Sequence, residues 1–284
     1  MNLLVFGKTG QVATELARLA PEATFLGRQE ADLSDPDACA AALRDQRPTA
    51  VINAAAYTAV DQAEDEEALA TMINGRAPGA MAQAAATLEI PFVHISTDYV
   101  FGGGGDSPFE ASGTTAPLGV YGRSKDAGEK AVRAAGGTHA ILRTSWVFSA
   151  HGSNFVKTML RLAGSRDHLT IVSDQTGGPT DARAIADACL TIAKVLMSDQ
   201  KAGGTYHFSG APDTNWADFA RAIFELSGRS VAVENIPSTA FPTKAKRPLN
   251  SRLDCSTTTK TFGLERPDWK VGLAGVLAEL GESR

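Results

Sequence analysis

The chain has 284 residues, 43% hydrophobic, 21% charged and 7% aromatic, with a formal net charge of −5. That length buries a sizeable core in one large domain or two unequal ones, and the acidic balance leaves no electrostatic footprint for nucleic acid. No apolar stretch approaches the ~20 residues of a membrane span and no basic segment precedes the first strand; three scattered cysteines, Cys39, Cys189 and Cys255, fit reduced thiols in a cytoplasm.

Leu3-Leu4-Val5-Phe6 is an unbroken apolar run, the pattern of a central parallel strand covered on both faces. It leads into Gly7-Lys8-Thr9-Gly10-Gln11-Val12-Ala13 and a helix that stops at Pro21. Glycines at a strand-to-helix turn let backbone approach a pyrophosphate, whose charge the helix N-terminus stabilises. Gly7, Thr9, Gly10, Gln11 and Val12 are therefore candidate cofactor residues, although Ala13 stands where close packing favours glycine. A P-loop is excluded, because its first glycine would fall at Asn2 and the residues between are strand.

The strand–helix alternation continues with Thr24 to Gly27, then a helix capped near Asp35-Pro36 and running to Asp45. An acidic residue after the second strand binds the ribose of NAD, whereas an arginine there accommodates NADP. Arg28 holds roughly that place and points to NADPH, with NADH left open. Ala50 to Asn53 is the third strand; the small residues after it, Ala54 to Thr58, either let a cofactor lie against the backbone or simply pack. Asp61 to Ile73 reads as an acidic surface helix, and Asn74 as the cap of an alanine-rich helix from Ala77 to Leu88.

Phe92-Val93-His94-Ile95 is a buried strand after Pro91. It delivers Ser96-Thr97-Asp98-Tyr99-Val100-Phe101 to the sheet edge where open α/β sheets bind ligands. Beyond a glycine-rich loop, Tyr121 and Lys125 stand four residues apart, on one face of a helix that stops at Gly136-Gly137. A free phenol, with a pKa near 10, is a poor acid at neutral pH; lowering it by roughly three units needs about 4 kcal/mol from a neighbouring ammonium. On that reading Lys125 makes Tyr121 a competent acid–base group.

Ala140 to Arg143 is a further strand, leading to Thr144-Ser145-Trp146. Trp146 reads either as an apolar wall above a sugar or as core. Asn154 to Ala163 is a helix with Phe155, Met159 and Leu162 inward. From Leu169 the composition changes. Thr180 caps a helix to Met197, and Tyr206-His207-Phe208, the helix Trp216 to Leu226 and Val231 to Ile236 make a smaller lobe. Lys244, Lys246, Arg247 and Arg252 form a cationic cluster, either a solvated face or a diphosphate clamp. The five histidines show no metal-ligand spacing, and no G-x-S-x-G elbow is present.

These blocks together resemble the extended short-chain dehydrogenase/reductase family, most closely its dTDP-4-dehydrorhamnose reductases. The resemblance rests on Gly7–Val12, Asn53–Asp61, Ser96–Phe101, Tyr121 with Lys125, Thr144–Val147, Asp174-Gln175, Gly178–Thr180, and Arg247-Pro248 with Asn250–Leu253. It implies an α/β fold with a doubly wound parallel sheet of Rossmann type in residues 1–168, joined by later helices, and a smaller C-terminal α/β substrate lobe mainly in 169–284. The reaction it implies is NAD(P)H-dependent reduction of the C4 carbonyl of dTDP-4-dehydro-L-rhamnose. Thr97, Tyr121 and Lys125 would be catalytic. Asp32, Leu33, Ala54, Ala55, Ala56, Tyr57 and Thr58 would join the cofactor site, and Thr97, Asp98, Trp146, Arg247, Asn250 and Ser251 would hold the nucleotide-sugar.

Some reductases resembling this chain share a magnesium ion among three glutamates at a dimer interface. Glu15 and Glu279 match two of those positions, but the third falls at Arg183, a cation. The expectation is no metal site of that type, and a monomer or weak homodimer. Two alternatives share the fold: a nucleotide-sugar epimerase, and a non-catalytic NADP-binding regulatory subunit.

Overall fold

A computed structural model describes residues 1–283. Its first element is β1 (Leu3–Phe6), an inner strand buried along its whole length. Then come α1 (Gln11–Leu19), β2 (Thr24–Leu26), α2 (Pro36–Gln46) and β3 (Ala50–Asn53). Asp35 accepts from Ala38 N–H and Pro36 opens α2, as the sequence predicts. The next segments are α3 (Val60–Ala63), α4 (Glu67–Thr71), a π-helical turn (Met72–Arg76), α5 (Ala77–Thr87), β4 (Phe92–Thr97), α6 (Val120–Ala134) and β5 (His139–Thr144).

The remaining elements are β6 (Val147–Phe148), α7 (Phe155–Ala163), β7 (His168–Val172), β8 (Thr176–Gly177), β9 (Thr180–Asp181), α8 (Ala182–Ser198) and β10 (Gly204–His207). They close with β11 (Thr214–Asn215), α9 (Trp216–Leu226), β12 (Ala232–Ile236), α10 (Ser256–Phe262) and α11 (Trp269–Glu279).

Six strands form one parallel sheet in the order β10-β5-β4-β3-β1-β2. The chain leaves β1 towards β2 and returns on the opposite side at β3, so the switch point lies between β1 and β3 at their carboxyl ends. Strand alternation sorts the core into two layers. Leu3, Val5, Ile52, Val93 and Leu142 meet α1 and α8, while Leu4, Phe6, Val51, Phe92 and Ile141 meet α2 and α5. Each fully buried aliphatic or aromatic side chain contributes about 1.5–3 kcal/mol relative to exposure.

A second core unites Phe148, Met159, Leu169, Phe219, Ile223, Trp269 and Leu273 from β6, α7, β7, α9 and α11. Several expectations change. Tyr206 and His207 lie in β10, paired in parallel with β5, so this strand joins the main sheet rather than the smaller lobe. The helix expected from Asp61 to Ile73 is broken into α3, α4 and the π turn. Asn74 caps nothing; its amide donates to Tyr57 O at 2.9 Å and its carbonyl accepts from Tyr57 N–H at 2.8 Å, clamping the loop after β3. Asp181, not Thr180, caps α8. On α7, Val156 and Leu160 join Met159 in the core, whereas Phe155 and Leu162 are only partly buried.

Candidate active site

The carboxyl edge of the sheet opens into a cleft of about 1780 Å³ between the main sheet and the smaller lobe. Single-ligand pockets commonly span ~300–1,000 Å³, so this volume suits two ligands side by side. Gly7, Thr9, Gly10, Gln11, Val12, Arg28, Asp32, Leu33, Ala54, Ala55, Ala56, Tyr57 and Thr58 all line it, as do Thr97, Asp98, Tyr121, Lys125, Trp146 and Arg247.

The β1–α1 turn fits a dinucleotide phosphate on its own geometry. Gly7 has φ 116°, and a Cβ there would stand 3.2 Å from the Ala54 carbonyl group. Gly10 caps α1 without a side-chain bond, so the first N–H groups of the helix remain available to an anion. The Gln11 side chain is engaged elsewhere. Its carbonyl accepts from Ser149 Oγ and Asn154 Nδ2, both at 2.9 Å, tying α1 to the loop before α7. At the outer end, Arg28 is exposed and Lys8 pairs with Glu30 at 3.0 Å.

Thr97 ends β4 and caps the short turn that follows. Its hydroxyl accepts from Tyr99 N–H at 3.2 Å and donates to Asp98 Oδ1 at 3.0 Å. Asp98 is buried, and its Oδ2 has no partner among the described residues. Burial pushes its carboxyl up to about 6, against the stabilising hydroxyls of Ser251 and Thr97.

Helix α6 is started from outside, with Val120 N–H donating to Glu64 Oε1 at 2.8 Å. Gly122 then lets the helix press on the preceding turn, because a Cβ there would fall 2.2 Å from Tyr99 O. The same helix brings Tyr121 and Lys125 to the cleft. Tyr121 packs edge-on against Tyr99, with ring centroids 5.4 Å apart. Burial pushes its phenol above the ordinary value, and the Thr97 hydroxyl opposes that only in part.

The expected lysine–phenol contact is not formed. Lys125 Nζ donates to Ile95 O at 2.7 Å and meets His94 Nε2 at 3.3 Å, rather than bonding the phenol. Burial lowers Lys125 itself to about 8, against the pull of Glu129.

Glu129, one further turn along, is a residue the sequence reading missed. Burial opposes its charge, but Arg143 grips it with Nε and Nη2 at 2.8 and 2.6 Å, and the pair holds the carboxyl below its usual range. Ser96 Oγ and Arg133 Nη2 also donate to it, at 2.6 and 2.7 Å. The i,i+4 step from Lys125 to Glu129 was the available signal.

Trp146 adopts φ 49°, a conformation uncommon for an aromatic residue, and stacks on Trp216 at 3.7 Å between centroids. Trp216, in turn, donates to Gln175 Oε1 at 3.1 Å, so the cleft wall is a pair of indoles where sequence suggested one. Arg247 lines the cleft with its charge already engaged, donating to Asp61 Oδ2 at 2.7 Å and to Tyr99 Oη at 3.2 Å.

Asn250 and Ser251 do not line the cleft, contrary to expectation. The Asn250 amide is spent on Ser107 O and on Arg252, and Ser251 acts on the site only through Asp98. Lys244, paired with Asp65, also stands outside it.

Glu15, His151 and Glu279 place ligand atoms within 4.8 Å of one another. Arg18 forks onto Glu279 at 2.6 and 2.9 Å and reaches Glu15 at 3.4 Å, while Arg183 adds a second positive charge near Glu279. Two guanidinium groups and an imidazole do not suit magnesium, which requires an octahedron of oxygens.

The RmlD substrate binding domain family matches residues 1–282. The dTDP-4-dehydrorhamnose reductase of Sinorhizobium fredii is 45% identical over 279 residues, covering 95% of this chain and 94% of that protein. A dTDP-4-dehydrorhamnose reductase crystal structure from Clostridium acetobutylicum superposes with a TM-score of 0.92 at 34% identity, covering 99% of this chain and 100% of the other. The Bacillus anthracis dTDP-4-dehydrorhamnose reductase, solved in complex with NADP, gives 0.90 at 33% identity over 98% of this chain and 100% of that one. With the family matched over residues 1–282 and relatives aligned along nearly the whole chain, the chain belongs to the RmlD family of dTDP-4-dehydrorhamnose reductases.

Proposed function

We propose that this protein reduces the C4 carbonyl of dTDP-4-dehydro-L-rhamnose to give dTDP-L-rhamnose, using NADPH. The observation that carries the reading is the convergence of Thr97, Tyr121 and Lys125 on one cleft with the Gly7 turn. A reduced nicotinamide, when bound, supplies the hydride.

The chain's own groups supply the rest. Thr97 Oγ is placed to hydrogen-bond the carbonyl oxygen as charge develops there. Tyr121, kept protonated by its surroundings, gives its proton to that oxygen as the alkoxide develops. Lys125, at the same cleft, would hold the nicotinamide ribose when the cofactor is bound. Asp98 accepts from a sugar hydroxyl through its unpartnered Oδ2, and the Trp146–Trp216 stack closes over the hexose. Arg247 faces the diphosphate, and Asp61 holds it in place. Arg28, exposed at the outer end, favours the phosphate of NADPH over NADH.

Three buried free thiols suit a reducing cytoplasm, and among the described residues no helix is long and apolar enough to cross a membrane. With arginines on the Glu15–Glu279 cluster, the working state is a monomer or weak homodimer. The test is NADPH absorbance with dTDP-4-dehydro-L-rhamnose, followed by product analysis. Stoichiometric oxidation with dTDP-L-rhamnose formed supports the reading. Sugar turnover without NADPH loss would indicate an epimerase, and cofactor binding without turnover a regulatory subunit.

A further inference from the structure

Asn53 at the end of β3, His94 in β4 and Lys125 in α6 form one buried chain of polar contacts. Its direction follows from donors and acceptors. Ala55 N–H donates to Asn53 Oδ1 at 3.2 Å, which fixes the amide, since the opposite orientation would set two N–H groups against each other. Asn53 Nδ2 then faces His94 Nδ1 at 3.1 Å, and an amide nitrogen only donates. Nδ1 must accept, so the neutral ring carries its proton on Nε2. Burial keeps the ring neutral, well below its ordinary pKa.

Nε2 lies 3.3 Å from Lys125 Nζ, which itself donates to Ile95 O at 2.7 Å. An Nε2–H needs an acceptor, and Nζ has a lone pair only as the neutral amine. An ammonium would place donor against donor.

We propose that His94 is a positioning residue of the reductase site: through the tautomer Asn53 imposes, it shifts Lys125 towards its neutral amine in the cofactor-free protein. The chain ends on the backbone of Ala55, which lines the cleft. Other charged or titratable groups near Lys125 are Tyr121 and Glu129 on its own helix and Asp98 after β4; Arg143 of β5 and Arg133 of α6 neutralise Glu129.

The test begins on the unmodified, cofactor-free protein, with 15N spectroscopy of the His94 ring. A proton on Nε2 and a bare Nδ1 are expected; a proton on Nδ1 overturns the proposal. Lys125 is then titrated through its 13Cε resonance. Asn53→Asp keeps an acceptor for Ala55 N–H but offers Nδ1 a carboxylate oxygen, forcing the proton onto Nδ1. The Lys125 titration should rise by about one pH unit or more, tenfold in proton affinity for each unit.

Added charge alone would also raise it, so the same change is made in His94→Phe. There the rise should largely vanish; its full persistence would assign the effect to charge and refute the tautomer. The inference rests on Lys125 belonging to the reductase site. Because tautomer and titration are read without turnover, an inactive protein carrying the Nε2–H tautomer would count against the reductase reading alone.

Discussion

The Lys125 side-chain nitrogen donates to the Ile95 carbonyl at 2.7 Å, so the lysine is anchored on β4 rather than on the phenol of Tyr121 one helical turn earlier. The tyrosine therefore works in the cofactor-free protein as a protonated phenol raised by burial, not as a phenol softened by a neighbouring cation. A reductase needs a proton donor, and this environment keeps the donor charged with its proton across the neutral range.

Lys125 gives a prediction about stability with a definite sign. Its folded-state value, about 8, lies below the ordinary 10.5, so between those values the unfolded chain holds more protons and stability rises with pH. The gap corresponds to ~3 kcal/mol, fully incurred below pH 8 and relieved above it. In Lys125→Met, urea midpoints measured from pH 7.5 to about 10.5 should lose that rise while cofactor affinity falls. A slope unchanged from the parent would show that Lys125 titrates normally.

Asp98 behaves in the opposite sense. Its carboxyl is raised to about 6, so the folded protein binds the proton more tightly than the unfolded chain, and stability falls as pH rises from about 4 to 6. If the carboxylate accepts a sugar hydroxyl, kcat/KM should climb through the same region. In Asp98→Asn both trends should flatten and KM for the sugar should rise. An acid limb that survives the substitution would belong to another group.

Removing Glu129 should be costly. Glu129→Ala leaves the buried Arg143 guanidinium without its bidentate partner, a loss of about 3–5 kcal/mol in stability. Denaturant unfolding checks this, and a change under about 1 kcal/mol would mean that Arg143 had found another anion.

The sequence revealed the parts of the site that leave a local signature. Gly7 is legible because a left-handed turn demands glycine, and Tyr121 with Lys125 because helical spacing sets them on one face. Asp35 and Pro36 announced their helix in the same way. What stayed hidden depends on distant partners. Glu129 meets Arg143 across 14 residues, Glu64 caps α6 from 56 residues away, and Arg247 reaches Asp61 across 186.

Parallel pairing of β10 with β5 leaves no hairpin turn to read, which is why Tyr206 and His207 fell into the wrong lobe. Asn74 has the composition of a cap, yet the π turn carries the helix straight through it and frees its amide for Tyr57. Asn250 entered the expected substrate site only through the family resemblance, and nothing local in the sequence shows that its side chain meets Ser107 and Arg252.

The Glu15–His151–Glu279 cluster should not bind magnesium tightly, because Arg18 already forks onto Glu279. Calorimetric titration with magnesium, paired with sedimentation, should show neither strong heat nor dimer formation. Tight binding coupled to dimerisation would mean that Arg18 releases its carboxylates.

The central claim is hydride transfer to the sugar with Tyr121 as proton donor. Its most direct measurement uses NADPH carrying deuterium at the transferable position, dTDP-4-dehydro-L-rhamnose, and mass analysis of the product from the parent and from Tyr121→Phe. The parent should place one deuterium at C4 of dTDP-L-rhamnose, and Tyr121→Phe should bind NADPH normally yet turn over about 10²–10⁴-fold more slowly. A product without deuterium, or a Tyr121→Phe protein as fast as the parent, would contradict the mechanism.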